Sequence, residues 1–236
     1  MSLTRYAVNE QGVALIQFDR PGSLNAMNTT MLDELLGHIA EARRDDEVRS
    51  LVFSSTDHMA FSAGADLKEE LEEPGKVHRM QLFADLYDGV VQFPKPTIAA
   101  CHGYTVGGGA EVAIACDIRI GGSNMQMRFP GAALGIPVGP ARLVTLCGLS
   151  AAKYLLLSSN VIKVEDAYRM NLVNQISPGA ATENAALDLA GRIAGYEPES
   201  VARIKSMLHG WDDIEGRSAD EGRGQVEFQR SGRGLP

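Results

Sequence analysis

A glutamate set among apolar residues, one helical turn after three consecutive glycines, is the arrangement in this sequence with the clearest chemical potential. In residues 103–117 (GYTVGGGAEVAIACD), Gly107, Gly108 and Gly109 precede Glu111, and its neighbours Ala110, Val112, Ala113, Ile114 and Ala115 are all apolar. A buried carboxylate is costly unless paired, and burial raises its pKa toward the range useful for acid–base work. Glycines at a helix start let another group come very close to unpaired backbone N–H donors at the positive end of the helix dipole. Such a junction suits a phosphate or a developing oxyanion. A dinucleotide-type G-x-G-x-x-G register from Gly107 fails at Val112, and no G-x-x-x-x-G-K-[ST] run occurs. The plainer alternatives are a tight structural turn and a glutamate on the one wet face of its helix.

A second constellation lies at residues 61–67 (FSAGADL), where small residues again bracket a passage from loop to helix. Two such loops from different strand ends would supply a two-donor oxyanion hole. Asp66 also fits a plain helix cap. Ser62 lacks the G-x-S-x-G context of a nucleophile elbow, which argues against a serine hydrolase.

The elements that must position these loops read as alternating strands and helices. Residues 13–19 (VALIQFD) form a strand pattern closed by the turn Arg20-Pro21-Gly22. Asn28 caps a helix whose apolar face is Met31, Leu32, Leu35, Leu36 and Ile39, and residues 50–55 (SLVFSS) read as a strand buried on both faces. Pro74-Gly75 interrupts the chain before a helix over residues 76–92. Residues 97–101 then form a strand entering the glycine motif, with further short strands at 118–120 and 125–129. Beyond residue 139 the pattern is mainly helical, over 141–147, 151–157, 164–170, 182–194 and 198–208, with one strand at 172–176. The polar tail from Trp211 holds at most one short helix and ends frayed. This order defines an α/β protein.

The chain has 236 residues, 44% hydrophobic and 22% charged, as in an ordinary globular protein. A net charge of -8 disfavours nucleic acid as a partner. Cys101, Cys116 and Cys147 form no C-x-x-C pair and read as core residues in a reducing compartment. The N-terminus lacks a signal-peptide pattern, and no apolar run is long enough to span a bilayer. The sequence is accordingly expected to be cytoplasmic, with no membrane partner.

Taken together, the motifs resemble the crotonase family, the enoyl-CoA hydratase/isomerase superfamily. The matching pieces are Asp19-Arg20-Pro21, Leu24-Asn25-Ala26-Met27, residues 61–68, Pro94-Lys95-Pro96, residues 103–111 and Cys116-Asp117. They continue through Phe129-Pro130, residues 134–137 and Arg142-Leu143, so that the resemblance covers roughly residues 3–210. It implies a spiral of ββα units, here residues 1–180, followed by a shortened helical region for subunit packing at 181–236. It also implies homotrimers or homohexamers, a coenzyme A thioester as substrate, and neither a prosthetic group nor a metal. The family's oxyanion-hole amides would be those of Ala65 and Gly108. Leu24, Ala26, Ala63, Asp66 and Leu67 would line the coenzyme A site, Lys68 would lie near its phosphates, and Glu111 would be the first catalytic glutamate.

One departure changes the chemistry to be expected. The family's second glutamate falls on Gly131, and no carboxylate occurs between Phe129 and Leu143. Hydration of an enoyl thioester normally shares proton transfer between two carboxylates. A hydratase with Glu111 alone, a Δ-isomerase, a decarboxylase, a specialised lyase and a non-catalytic acyl-CoA-binding subunit therefore all fit. His78, Arg79, Asp85, Tyr87 and Asp88 match a variable region bordering the acyl pocket, and each reads as solvated. His102 and Asp117 read as structural, and Arg142 as a partner in a structural ion pair.

Overall fold

The apolar run VALIQF forms strand β2 (Val13–Phe18), which pairs antiparallel with β1 (Thr4–Val8) to open the larger sheet. The structure, a computed structural model, describes residues 2–236. Helix α1 (Thr29–Arg44) starts where Asn28 accepts the Met31 amide at 3.0 Å, and it buries Met31, Leu32, Leu35 and Ile39. Three turns of a spiral follow. They are β3 (Ser50–Ser55), β4 (Ala60–Ser62) and α2 (Glu73–Val91); β5 (Thr97–Cys101), β6 (Tyr104–Val106) and α3 (Gly108–Ala115); and β7 (Ile118–Gly122), β8 (Gln126–Arg128) and α4 (Pro140–Ser158). Each turn gives one strand to the larger sheet and one to a smaller sheet before its helix. Strand β9 (Ile162–Lys163), helix α5 (Val164–Arg169), strand β10 (Gln175–Ser177) and helices α6 (Thr182–Ala194), α7 (Pro198–Asp212) and α8 (Ile214–Arg230) complete the chain.

The larger sheet has the order β1-β2-β3-β5-β7-β10 and is parallel from β2 onward. The smaller has the order β4-β6-β8-β9. Every residue of β3 and β5 is buried, as strands covered on both faces require. The expected ββα spiral with a helical C-terminal region is therefore present.

Five local expectations are corrected. Pro74 does not interrupt α2 but occupies its first turn, where the missing N–H costs nothing. The two helices expected at 141–147 and 151–157 are one element, α4, kinked at Gly148 (φ 77°, ψ 161°). The last strand lies at Gln175–Ser177, not 172–176.

The polar tail is the 17-residue helix α8, packed along α2. Its buried stripe is Ser218, Gly222, Gln225, Val226 and Gln229, and Gly222 sits so close to α2 that a Cβ there would lie 3.2 Å from Ala84 Cβ. The end is not frayed either. Gln229 clamps Leu235 through both its amide and its carbonyl, at 2.9 and 3.1 Å, and Leu235 is buried.

Candidate active site

Backbone hydrogen bonds hold the loop that carries the Ala65 amide against residues 24–27. Ala63 N donates to Leu24 O (2.9 Å), Met27 N to Gly64 O (2.7 Å) and Asp66 N to Met27 O (2.9 Å), stitching residues 24–27 to residues 63–66. Buried Asn25 anchors this seam by donating to Ser55 Oγ at 2.7 Å and to Ala60 O at 3.0 Å. Gly64 (φ +94°) then turns the chain directly against the glycine motif. A Cβ at Gly64 would lie 2.8 Å from Val106 O and 3.0 Å from Gly108 N. Gly107, at φ 52° and ψ −123°, occupies a conformation open to glycine and starts α3. Among the described residues, neither Ala65 N nor Gly108 N donates to a protein acceptor.

Ala65 and Gly108 line a cavity of ≈ 80 Å³ together with Ala63, Leu67, Glu111 and Tyr87. Leu24, Ala26 and Asp66 lie on the stitched loops beside it. Asp66 is buried and pairs with Arg20 at 2.6 Å; burial raises its pKa, but the Arg20 hydrogen bond, the Lys68 amide and both positive charges outweigh this and lower it. Lys68 is exposed.

Glu111 is 1% exposed, so the wet-face alternative is excluded. Its Oε2 accepts from Arg142 Nη2 at 2.9 Å, and the same nitrogen donates to Glu221 Oε1 at 2.7 Å. Arg142 Nη1 donates to Ser218 Oγ (3.1 Å), whose hydroxyl donates to Asp88 Oδ1 (2.6 Å). Glu221, from α8, also accepts Gly139 N and Ala141 N at 3.0 and 2.7 Å, so it caps α4 while binding the arginine that α4 carries. One guanidinium thus serves two carboxylates directly. Burial pushes Glu111 up to about 7; Arg142 pulls it down and Glu221 pushes it up. Burial likewise raises Asp88, against the Ser218 hydrogen bond and the charge of Arg142.

The ion pair expected of Arg142 is therefore real, but it is made at the site itself. Arg142 also stacks 4.9 Å above the Tyr87 ring. Tyr87 is only 5% exposed, and its pKa is raised well above the ordinary value by burial and then by Glu111, so its phenol stays protonated beside Gly108. Arg79 is also buried, tied to Asp66 O (3.1 Å) and Pro236 O (2.5 Å). These two, with the half-buried Asp88 that accepts the Ser218 hydroxyl, correct the expectation that the α2 polar residues are solvated; His78 and Asp85 are exposed, as expected. His102 contacts the carbonyls of Ala100 and Asp57. Asp117 accepts the Thr97 amide and pairs with Lys205, consistent with a structural role for both.

Sequence reasoning missed Glu221, Ser218 and Gln225, which reach the site from α8. The available signal was electrostatic: a lone arginine in ARLVTL and a lone glutamate in an apolar helix each need a buried partner.

At Gly131 the chain has no room for a side chain. Gly131 O accepts the Leu134 and Ile136 amides at 3.1 and 2.7 Å, and a Cβ on Gly131 would lie 2.7 Å from Ile136 O and 3.0 Å from Val138 Cγ1. The missing carboxylate is thus built into a turn that folds over its position.

A ββα spiral in which two acceptor-free amides meet a buried acid defines the crotonase class. The family model described as Enoyl-CoA hydratase/isomerase matches residues 8–221, and the chain belongs to that family. It is 32% identical over 216 residues to the Short-chain-enoyl-CoA hydratase of Clostridium acetobutylicum, covering 89% of this chain and 82% of that protein. It is also 32% identical over 202 residues to the 2,3-dehydroadipyl-CoA hydratase of Escherichia coli strain K12, covering 84% and 79%. Among solved structures, the enoyl-CoA hydratase from Bacillus anthracis superposes with a TM-score of 0.86 at 26% identity, over 97% of this chain and 90% of that one.

Proposed function

We propose that the protein interconverts 2-enoyl-CoA and 3-hydroxyacyl-CoA thioesters of short acyl chain, with Glu111 as its one carboxyl acid/base. The observation that carries this reading is the placement of Glu111, its carboxyl pushed up to about 7, on the same small cavity as the acceptor-free amides of Ala65 and Gly108. A base poised near neutral pH both takes and returns a proton efficiently.

The thioester carbonyl accepts from Ala65 N and Gly108 N, which stabilise the enolate more than the ground state. Water adds to the β-carbon as Glu111 takes one of its protons, and Glu111 then delivers that proton to the α-carbon. No prosthetic group enters these steps. The coenzyme A portion lies along Leu24, Ala26, Ala63, Asp66 and Leu67, met mainly by backbone atoms, with the exposed Lys68 ammonium available to its phosphates. The small cavity and its apolar walls, which include Phe83, Met80 and Leu235, favour a short chain, and the names of the hydratases it is similar to support the reaction.

A second reading, a Δ-isomerase, is favoured by the filled space at Gly131, because moving a proton between carbons needs one carboxylate and no held water. The assembly we propose is a homotrimer or a dimer of trimers. Leu149 and Leu157 on α4 and Ile204, Leu208 and Trp211 on α7 are exposed apolar residues, with Trp211 76% exposed. Helix α4 is long and apolar enough by composition to cross a membrane, but it is kinked at Gly148 and buries Arg142 in ion pairs, which suits subunit packing better.

Incubation with crotonyl-CoA, a 3-enoyl-CoA and a 3-hydroxyacyl-CoA separates the readings. The hydratase converts the first and third into one another, the isomerase acts on the second, and a binder gives saturable affinity without product. Product from none of the three contradicts both enzymatic readings.

A further inference from the structure

Helix α8 brings a second oxygen acceptor to the cavity. Gln225 lines it at 1% exposure, and its Nε2 donates to Glu221 Oε1 at 3.4 Å. A carboxylate oxygen receiving Arg142 accepts from the amide nitrogen and not from its oxygen, so the side chain is oriented with Nε2 toward Glu221. Gln225 Oε1 is left without a protein donor. Glu111 presents the matching case, since Arg142 occupies its Oε2 while its Oε1 has no protein donor. Two buried acceptors without donors, on two residues that line one cavity, are expensive unless a ligand satisfies them. Water, with two O–H donors, fits such a pair.

We propose that Gln225 Oε1 and Glu111 Oε1 together hold the reacting water, so that α8 supplies from another direction the positioning group that Gly131 lacks. This rests on the hydratase reading above. The water oxygen bonds to the β-carbon while one O–H proton passes to Glu111 Oε1, and the other O–H, donated to Gln225, remains as the hydroxyl hydrogen. The α,β double-bond pair moves to form the enolate between Ala65 and Gly108. The enolate then re-forms its carbonyl as Glu111 returns the proton to the α-carbon. A neutral amide suits this place because it adds no further negative charge beside Glu111 and Glu221, which share one arginine.

The test compares wild type, Gln225→Met and Gln225→Glu in two assays, hydration of crotonyl-CoA and exchange of the α-protons of butyryl-CoA into D2O followed by NMR. Exchange needs Glu111 and the oxyanion amides but no positioned nucleophile. Gln225→Met is expected to lower kcat for hydration about 10- to 100-fold, the loss of a buried hydrogen bond, with KM and the exchange rate maintained. Gln225→Glu, which keeps an acceptor, restores part of the hydration. Unchanged hydration in Gln225→Met, or exchange falling in parallel with hydration, overturns the proposal while leaving the enolate reading intact. A wild-type enzyme that exchanges α-protons but hydrates no enoyl-CoA also overturns it, and one that does neither overturns both.

Discussion

Arg142 Nη2 lies 2.9 Å from Glu111 and 2.7 Å from Glu221, so a single buried nitrogen bridges the candidate acid/base and the cap of its own helix. The bridge fixes the Glu111 rotamer and partly offsets its burial, while sharing the cation prevents full compensation. Replacing Arg142 with Met leaves the buried Glu111 and the half-buried Glu221 without their cation. The expected result is a loss of about 3–5 kcal/mol in urea unfolding, together with a pH–rate limb displaced above the wild-type position.

Because Glu111 must be ionised to receive a proton from water, wild-type kcat/KM for crotonyl-CoA hydration should rise with pH through about 7. A rate independent of pH between 5 and 9, on scales set by roughly two units either side of that value, would separate the reaction from this carboxyl.

The same carboxyl makes a stability prediction with a definite sign. Its folded pKa, about 7, lies above the ordinary 4.5, so the folded state holds the proton more tightly than the unfolded state. The penalty is absent at low pH, builds as pH rises from about 4.5 to 7, and is constant above that. Glu111→Gln removes it. Relative to wild type, the variant should gain about 3 kcal/mol more at pH 8 than at pH 4, at ~1.4 kcal/mol per pH unit. Denaturant melts at the two pH values measure this directly.

Gly64 is where backbone conformation and catalysis meet. At φ +94° an alanine is strained, and its methyl would press on Val106 O and Gly108 N, forcing apart the two loops of the proposed oxyanion hole. Gly64→Ala should reduce kcat by about 10²-fold, the loss of roughly one oxyanion donor, with a smaller effect on thioester affinity measured by titration calorimetry.

Restoring the family's second glutamate should not restore a two-carboxylate enzyme. The Cβ of Gly131→Glu meets Ile136 O within 2.7 Å, so the turn must open before the side chain can enter. The expected outcome is a lower Tm, with hydration no faster than wild type.

How much of this was legible in the sequence depends on how each part declares itself. Glu111 was conspicuous because it is a charge within an apolar helix, and the glycines before it announced a close approach that Gly64 and Gly107 indeed make. The α1 face was plain in its apolar spacing, and β3 in its unbroken burial. Helix α8 was not, because the residues it buries include Ser218, Gly222, Gln225 and Gln229, so its periodicity is carried by small and amide side chains that a search for apolar residues passes over. Glu221 and Gln225 were hidden for the same reason. Strand β1 was missed because it is a sheet edge with one buried residue of five, and β4 because three residues carry too little pattern. The Arg142–Glu111 pair spans 31 residues, beyond the reach of any local rule.

The most direct test of the account is turnover by Glu111→Gln with crotonyl-CoA, alongside its affinity for the thioester. Hydration should fall by at least about 10²-fold, the loss of a general acid–base group, with thioester binding nearly intact. Turnover equal to wild type would contradict it.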